Sequence, residues 1–378
     1  MKDGIMDIVM TELQDRNIYL CEKYAPYFVC SYACHEFNLH NQRKKIYWSG
    51  KSLPNMRMHC LFVAPPGFMK SHYLENMGGG EYGIFRDVGT KIGYKQSMTE
   101  PAFVGSVQSN NGSVRRIEGV AEQYKTGMCL IDEFSGITSA MKSQMNSQLD
   151  SQLLAVLDHG RVRKDLASGM ISYDTNMTVW GGVQPARFDM TSGLGRRFSF
   201  LVFLPTPADN AKLRVAQHHA RNVKPSHIHM KALWDEIKAF KNEIGKIRSV
   251  EFDDSVLEFY EKQNLYSYET SYFDRMLIGF EISTNGVRQE MNISASDKEL
   301  LALLDQQRVW RRQVNVGIDY LAISSVIKRH PENKVHFNVL IEECAMFGWN
   351  HEQVAQLIKK MVDSGVIKRR GQVLELRI

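Results

Sequence analysis

The sequence predicts an α/β fold: a parallel sheet with helices on both faces, then a helical region, then a small helix-and-hairpin unit at the C-terminus. Three observations predict it. Four short apolar runs, MHCLFVA at 58–64, MCLIDEF at 128–134, MTVWGGV at 177–183 and FSFLVFL at 198–204, read as buried strands. Helix-like stretches separate them, and buried strands alternating with helices argue for a parallel sheet. After Pro205 and Pro207 the pattern turns helical, and the closing VIKRRGQVLELRI pairs two short runs across Gly371-Gln372 as a hairpin.

The elements follow in order. In residues 1–45, Ile5, Ile8, Val9, Leu13 and Ile18 to Tyr19 fall at helical spacing, and Pro26 is expected to interrupt the pattern before a second helix through Tyr32 to Leu39. The first strand run stops at Pro65, Pro66 and Gly67, a loop signal. Met141, Met145, Leu149 and Leu153 repeat every four residues as a helix that Gly160 can end. Two segments read as hairpins: VGSVQSNNGSVRRIEG, turning at Asn111-Gly112, and GRVRKDLASGMISYD. The stretches 208–221, 229–247, 253–268, 271–283 and 296–313 read as amphipathic helices with no strong strand run among them. From 323 onward, two or three helices precede the basic hairpin, the outline of a winged helix. The expected division is 1–45, an N-terminal helical segment; 46–205, the sheet-bearing core; 206–322, a helical lid; and 323–378, the winged-helix unit.

Composition sets the class. The chain has 378 residues, of which 43% are apolar and 24% charged, which excludes a mostly disordered protein and allows two or three domains. No run of 18 uncharged apolar residues occurs, so no membrane span is expected, and the first residues lack a signal-peptide plan. Six scattered cysteines fit a reducing, cytoplasmic setting. The net charge of +5 permits a nucleic-acid partner without requiring one. Residues 323–378 hold 9 Lys+Arg against 6 Asp+Glu, so +3 of the +5 lies in the last 56 residues.

The chemistry concentrates in two places. After the first strand run, APPGFMKSHYL puts Lys70-Ser71 at a strand-to-helix turn, the functional end of a phosphate-binding loop. Pro66 and Gly67 would shape the loop, Lys70 would neutralise β/γ-phosphate oxygens of ATP, and Ser71 would ligate Mg2+. The strict pattern G-x-x-x-x-G-K-[ST] is broken twice, with Ala64 and Met69 in the glycine positions. The second place is CLIDEF, an apolar strand tip carrying two adjacent acids 62 residues after Lys70. Asp132 would hold Mg2+ through water and Glu133 would polarise the attacking water. Desolvating two carboxylates is unfavourable, so adjacent acids at a buried strand tip point to a task.

These residues resemble a family. APPGFMKS is similar to the phosphate loop of the minichromosome maintenance (MCM) helicases, and MCLIDEF to their Walker B segment. LGRRFSFLVFL at 194–204 resembles their arginine-finger segment, TEPAFVGSV at 99–107 the stretch leading to their helix-2 insert, and YAPYFVCSYACHEF the helix before their ATPase core. The resemblance spans roughly residues 20–320 and implies an AAA+ P-loop NTPase core, a helical lid and a C-terminal winged helix. It implies that Arg197 is an arginine finger acting on ATP of a neighbouring subunit, and that Arg275 is the lid's sensor-2 arginine. Gln184, in GGVQPARFD, stands where the family has a sensor-1 Asn; its amide is the same on one more methylene. Only residues 1–45 precede the expected core, so by the resemblance a short relative without the family's large N-terminal DNA-binding domain and zinc module is expected.

Expected DNA contacts are Arg115 and Arg116 on the return arm of the first hairpin, and Arg161, Arg163 and Lys164 on the second. The second hairpin corresponds to the family's pre-sensor-1 hairpin, with Ala167 at the aligned lysine and Lys164 nearby. In the C-terminal unit, a helix over about 351–363 would enter a groove while Arg369 and Arg370 lie on the backbone. Cys30, Cys34 and His35 read as core residues rather than zinc ligands, and His218, His219, His227 and His229 as a solvated surface. The resulting expectation is a ring, a hexamer by resemblance, that hydrolyses ATP to move along single-stranded DNA in replication. The alternatives are a non-unwinding initiator or loader, and a catalytically weak scaffold motivated by Met69 and Gln184.

Overall fold

The computed structural model describes residues 4–48, 55–110, 113–139, 149–166, 169–187, 197–221, 223, 225–265 and 267–377. Helices α1 (Met6–Asp15) and α2 (Cys21–Lys44) open the chain. Strands β1 (Tyr47–Trp48) and β2 (His59–Val63) precede α3 (Lys70–Leu74), which runs into a π-helical turn at Glu75–Gly79. Next come β3 (Ile92–Ser97), α4 (Glu100–Val104), β4 (Gly105–Asn110), β5 (Ser113–Glu118), α5 (Val120–Gln123) and β6 (Met128–Glu133). They are followed by α6 (Ser135–Ser139), α7 (Leu149–Leu157), β7 (Arg161–Leu166), β8 (Gly169–Asp174), β9 (Thr178–Val183) and β10 (Phe198–Val202).

The central sheet has five strands, all parallel, in the order β10-β2-β9-β6-β3. Four of them coincide with the apolar runs, and β2, β9 and β10 are buried along their whole length. That is what a parallel strand covered on both faces requires. The fifth, β3, escapes the sequence pattern because it is an edge strand whose side chains are mostly half-buried or exposed.

Helix α2 covers one face. Pro26 lies inside it and does not interrupt it, contrary to expectation. At the sixth helical position its missing N–H removes a single intrahelical bond. Eighteen of the 24 residues are buried, and that packing outweighs the lost bond. Trp180 of β9 donates its indole N–H to Ser31 (2.7 Å), Tyr24 donates to the Val202 carbonyl (3.1 Å), and Tyr24 stacks on Trp310 with ring centroids 5.5 Å apart.

Beyond the sheet lie α8 (Pro207–Ala220), α9 (His227–Ile244), β11 (Ser249–Phe252), α10 (Asp254–Lys262), α11 (Ser267–Thr284), β12 (Glu290–Ile293) and α12 (Lys298–Val316). Their starts are written locally. Thr206 and Asp209 form a capping box with Pro207 in the first turn, and Ser226, Asp253 and Asp297 cap α9, α10 and α12. The region is not all-helical: β11 and β12 join β1 in a small parallel sheet, order β1-β11-β12. Strands of two and four residues are too short to register as a run.

The C-terminal unit comprises α13 (Ile318–Ile327), β13 (Lys334–His336), α14 (Phe337–Cys344), α15 (His351–Asp363), β14 (Ile367–Arg370) and β15 (Val373–Leu376). The last two strands form the expected hairpin, and β13 adds to it antiparallel in the order β13-β15-β14. Gly371 takes φ +61° at the turn, a backbone state that Gly adopts freely. The unit has its own apolar core, including Ile323, Leu340, Phe347, Ile358 and Leu374. Ala186 and Leu204 of the preceding region pack against that core, and Arg329 donates to the Pro205 carbonyl. Among the described residues, no helix is long and apolar enough to cross a membrane.

Candidate functional site

The carboxyl ends of parallel strands converge backbone and side chains on one edge of the sheet, the usual place for a ligand. Here β2 ends at the 64–70 loop, β6 ends at Asp132 and Glu133, and β9, lying between them, ends just before Gln184. Gly67 has φ +76°, and a Cβ there would meet nothing within 4 Å, so the constraint is conformational. Met69 has φ +53° at the N-terminus of α3. This is the position of the second glycine in the strict pattern, and a non-Gly residue in a left-handed conformation costs about 1–2 kcal/mol. Met69 does not crowd the loop mouth: it is 5% exposed and lines a narrow pocket with Tyr19, His72, Tyr73, Leu213 and Gln217. Beside that pocket, sharing His72, opens a cleft of ≈ 530 Å³ lined also by Arg16, Asn76 and Tyr82.

Lys70 is 6% exposed and donates to the carbonyls of Ala64 (2.7 Å) and Pro65 (2.8 Å), so its ammonium sits inside its own loop. Burial pulls its pKa down to about 8, against the opposing pull of Glu133 and Asp132. Ser71 donates to Asp132 Oδ1 at 2.6 Å across the 61 intervening positions. The contact sets the Ser71 hydroxyl, which would ligate Mg2+ directly, beside the carboxylate that would hold the ion through water. Glu133 accepts from the backbone N–H of Ser135 at 3.3 Å, which holds its carboxylate beside Asp132.

Gly182, which sequence reasoning passed over, makes this approach possible. A Cβ there would stand 2.4 Å from the Asp132 carbonyl oxygen and 3.3 Å from Lys70 Cδ. The visible signal was the Gly-Gly pair inside an apolar strand, which marks close backbone approach. Gln184 faces the C-terminal unit: a Cβ on Gly348 would lie 3.0 Å from Gln184 Oε1 and 3.5 Å from Pro66 Cγ.

Arg197 stands at the opposite edge strand, one residue before β10, and is held by Asp158 through Nε (2.8 Å) and Nη2. Arg275 does not lie at the Lys70 loop. It sits on α11, its backbone carbonyl accepts from Cys34 (2.9 Å), and burial lowers its pKa while the Asp158 carboxylate acts to raise it. It therefore belongs with the Arg197 edge rather than with this chain's own loop.

The two hairpins, β4–β5 and β7–β8, lie side by side: Tyr173 of β8 donates to the Val104 carbonyl (2.7 Å), and the Arg116 guanidinium is 6.0 Å from the Tyr173 ring centre. Arg116 also pairs with Glu122 at 2.5 Å, whereas Arg115, the next residue of the strand, is exposed on the other face. Arg161 and Arg163 share one exposed face, Lys164 is half-buried on the other beside buried Val162, and Arg163 stands 3.9 Å from Asp174. The Asn111-Gly112 turn, Met141, Met145, Ala167 and residues 194–196 lie outside the described residues. Arg369 and Arg370 are exposed on β14, with Arg369 over the Phe337 ring at 5.0 Å.

All six cysteines are buried free thiols, and among the described residues no group of His, Cys, Asp and Glu has the makings of a metal site. Of the histidines read as a solvated surface, His229 has a partner: Glu12 at 2.6 Å. The chain matches no protein-family model and no curated protein.

Proposed function

We propose that this chain is an MCM-like AAA+ ATPase that assembles as a ring and couples ATP hydrolysis to movement along DNA, as a replicative helicase or translocase. The observation that carries this reading is the convergence of Lys70, Ser71, Asp132 and Glu133 at one sheet edge, with Gln184 just past the end of the strand between them.

On this reading the 64–70 loop wraps the phosphates at the end of β2. Lys70 leaves the carbonyls of Ala64 and Pro65 for the phosphate oxygens, trading neutral acceptors for charged ones. Ser71 and Asp132 hold Mg2+, which when bound neutralises charge on the β- and γ-phosphates. Glu133 orients and deprotonates the attacking water, and Gln184 holds it in line. Arg197 of one subunit reaches the γ-phosphate bound to its neighbour, a contact worth about 10³-fold or more in rate. The paired hairpins, bearing Arg115, Arg161, Arg163 and Lys164, would grip single-stranded DNA, and the C-terminal unit is read as a winged helix presenting Arg369 and Arg370.

The test is ATP turnover with and without single-stranded DNA, together with sedimentation with and without ATP. Hydrolysis stimulated by DNA, abolished in Lys70→Ala and Glu133→Gln, in a particle several times the monomer mass, is the expected result. A monomer under all conditions refutes the trans-arginine arrangement. Hydrolysis without strand displacement moves the protein to the initiator or loader class.

A further inference from the structure

The Arg197–Asp158 pair connects two parts of the molecule that the proposed function treats separately. Asp158 follows α7 directly and precedes β7 by three residues, so it stands at the base of the β7–β8 hairpin. That base is fastened from the other side as well. The buried Arg57 guanidinium donates to the carbonyls of Val156 (2.9 Å) and Asp158 (3.1 Å) before the hairpin and of Met177 (2.7 Å) after it. His59, whose Nδ1 accepts from the Val179 N–H (3.0 Å), donates from Nε2 to the Leu157 carbonyl (3.0 Å). Asn55 adds a bond to the Asp158 carbonyl at 2.6 Å. The hairpin base is thereby one piece with the start of β2, which itself pairs with β10, and a side-chain tie to the residue before β10 runs from the Asp158 carboxylate to Arg197.

We propose that Asp158 is a positioning residue that holds Arg197 in readiness and links it to the hairpin: engagement of the neighbouring subunit's γ-phosphate takes Arg197 from Asp158 and releases the Asp158 end of the hairpin from that side-chain tie. The proposal rests on the trans-acting role given to Arg197 above. The Nε/Nη2 face of one guanidinium serves a single carboxylate or phosphoryl group at a time, because its donors are fixed in one plane. The pair is partly open to solvent, with Arg197 at 19% and Asp158 at 29% exposure, so exchange for an incoming phosphate needs no core rearrangement. The same atoms therefore report nucleotide at one subunit boundary and set the position of a hairpin that carries Arg161, Arg163 and Lys164.

A label on the hairpin reads the link directly. Met170 is 61% exposed on β8, and all six native cysteines are buried, so Met170→Cys gives one addressable thiol. With a nitroxide there, a non-hydrolysable ATP analogue should raise label mobility in the assembled protein, and Asp158→Asn should raise it without nucleotide. No change on adding the analogue overturns the link, without any Asp158 variant having to fold. In turnover assays Asp158→Asn should raise the rate without DNA about two- to fivefold, the loss of one partly exposed ion pair, and reduce stimulation by oligo-dT towards unity at constant KM. Asp158→Glu should retain stimulation. A wild-type stimulation ratio in Asp158→Asn overturns the proposal. Arg197→Ala that hydrolyses ATP at the wild-type rate instead overturns the trans-arginine reading beneath it, and the two failures are distinguished by which variant is silent.

Discussion

On the proposed reading, Lys70 makes nucleotide binding titrate in an unusual range. In the free protein its pKa is pulled down to about 8 by burial against the carbonyls of Ala64 and Pro65, from an ordinary value of 10.5. A bound phosphate restores the charged form, so binding takes up a proton whenever the free protein has lost one. Affinity is then flat below pH 8 and falls about tenfold per pH unit above it, until the bound-state pKa is reached. Between pH 7 and pH 9 the dissociation constant for an ATP analogue should rise about tenfold. Stability runs the other way: between pH 8 and 10.5 the unfolded chain holds the proton that the folded one has lost, so folding is favoured as pH rises through that window. The assay is a fluorescence titration with an ATP analogue from pH 6.5 to 9.5, beside Lys70→Arg, whose guanidinium stays charged throughout. The variant should show a flat profile whatever its absolute affinity. A wild-type profile as flat as that of Lys70→Arg refutes the placement of Lys70 in the phosphate site.

Two structural predictions stand beside it. Arg57→Met should lower unfolding free energy by about 3–5 kcal/mol in a denaturant titration, because it removes in one step the guanidinium donors to the buried carbonyls of Val156 and Met177, while Asp158 keeps its bond from Asn55. Gly348→Ala should destabilise by about 1–2 kcal/mol from its φ of +90° alone, and the added methyl must push Gln184 Oε1 from 3.0 Å; calorimetry and ATP turnover measured on the same sample should both shift.

The sequence revealed what depends on local pattern and hid what depends on distant approach. Strands β2, β6, β9 and β10 announce themselves because burial on both faces demands unbroken apolar runs. Edge strand β3 and the short β1, β11 and β12 carry no such demand and were not legible. Lys70, Ser71, Asp132 and Glu133 were found because strand ends and acid pairs are local signals, and the structure places Ser71 against Asp132. Met69 misled by identity: it carries the positive φ of a glycine while its side chain turns away into the pocket beside Tyr73. The edge on which Arg275 lies was not legible, since a helical arginine shows nothing in sequence about which edge of the sheet its helix covers. Asp158 was invisible because its partner lies 39 positions away.

The contrast between Arg57 and Arg197 shows where this fold can change state. Both fasten the hairpin base, but Arg57 is 1% exposed and satisfied by several carbonyls, whereas Arg197 pairs with the Asp158 carboxylate at 19% exposure. Breaking the first strands buried polar groups; breaking the second returns both partners to water at a difference of about 0–1 kcal/mol. Strand β2, buried on all five residues, carries the hairpin anchor at one end and the phosphate loop at the other, and a close-packed strand moves as a body rather than deforming. A signal between the two ends therefore needs a contact weak enough to exchange yet fixed enough to hold position, and on the proposed reading the Arg197–Asp158 pair meets both conditions.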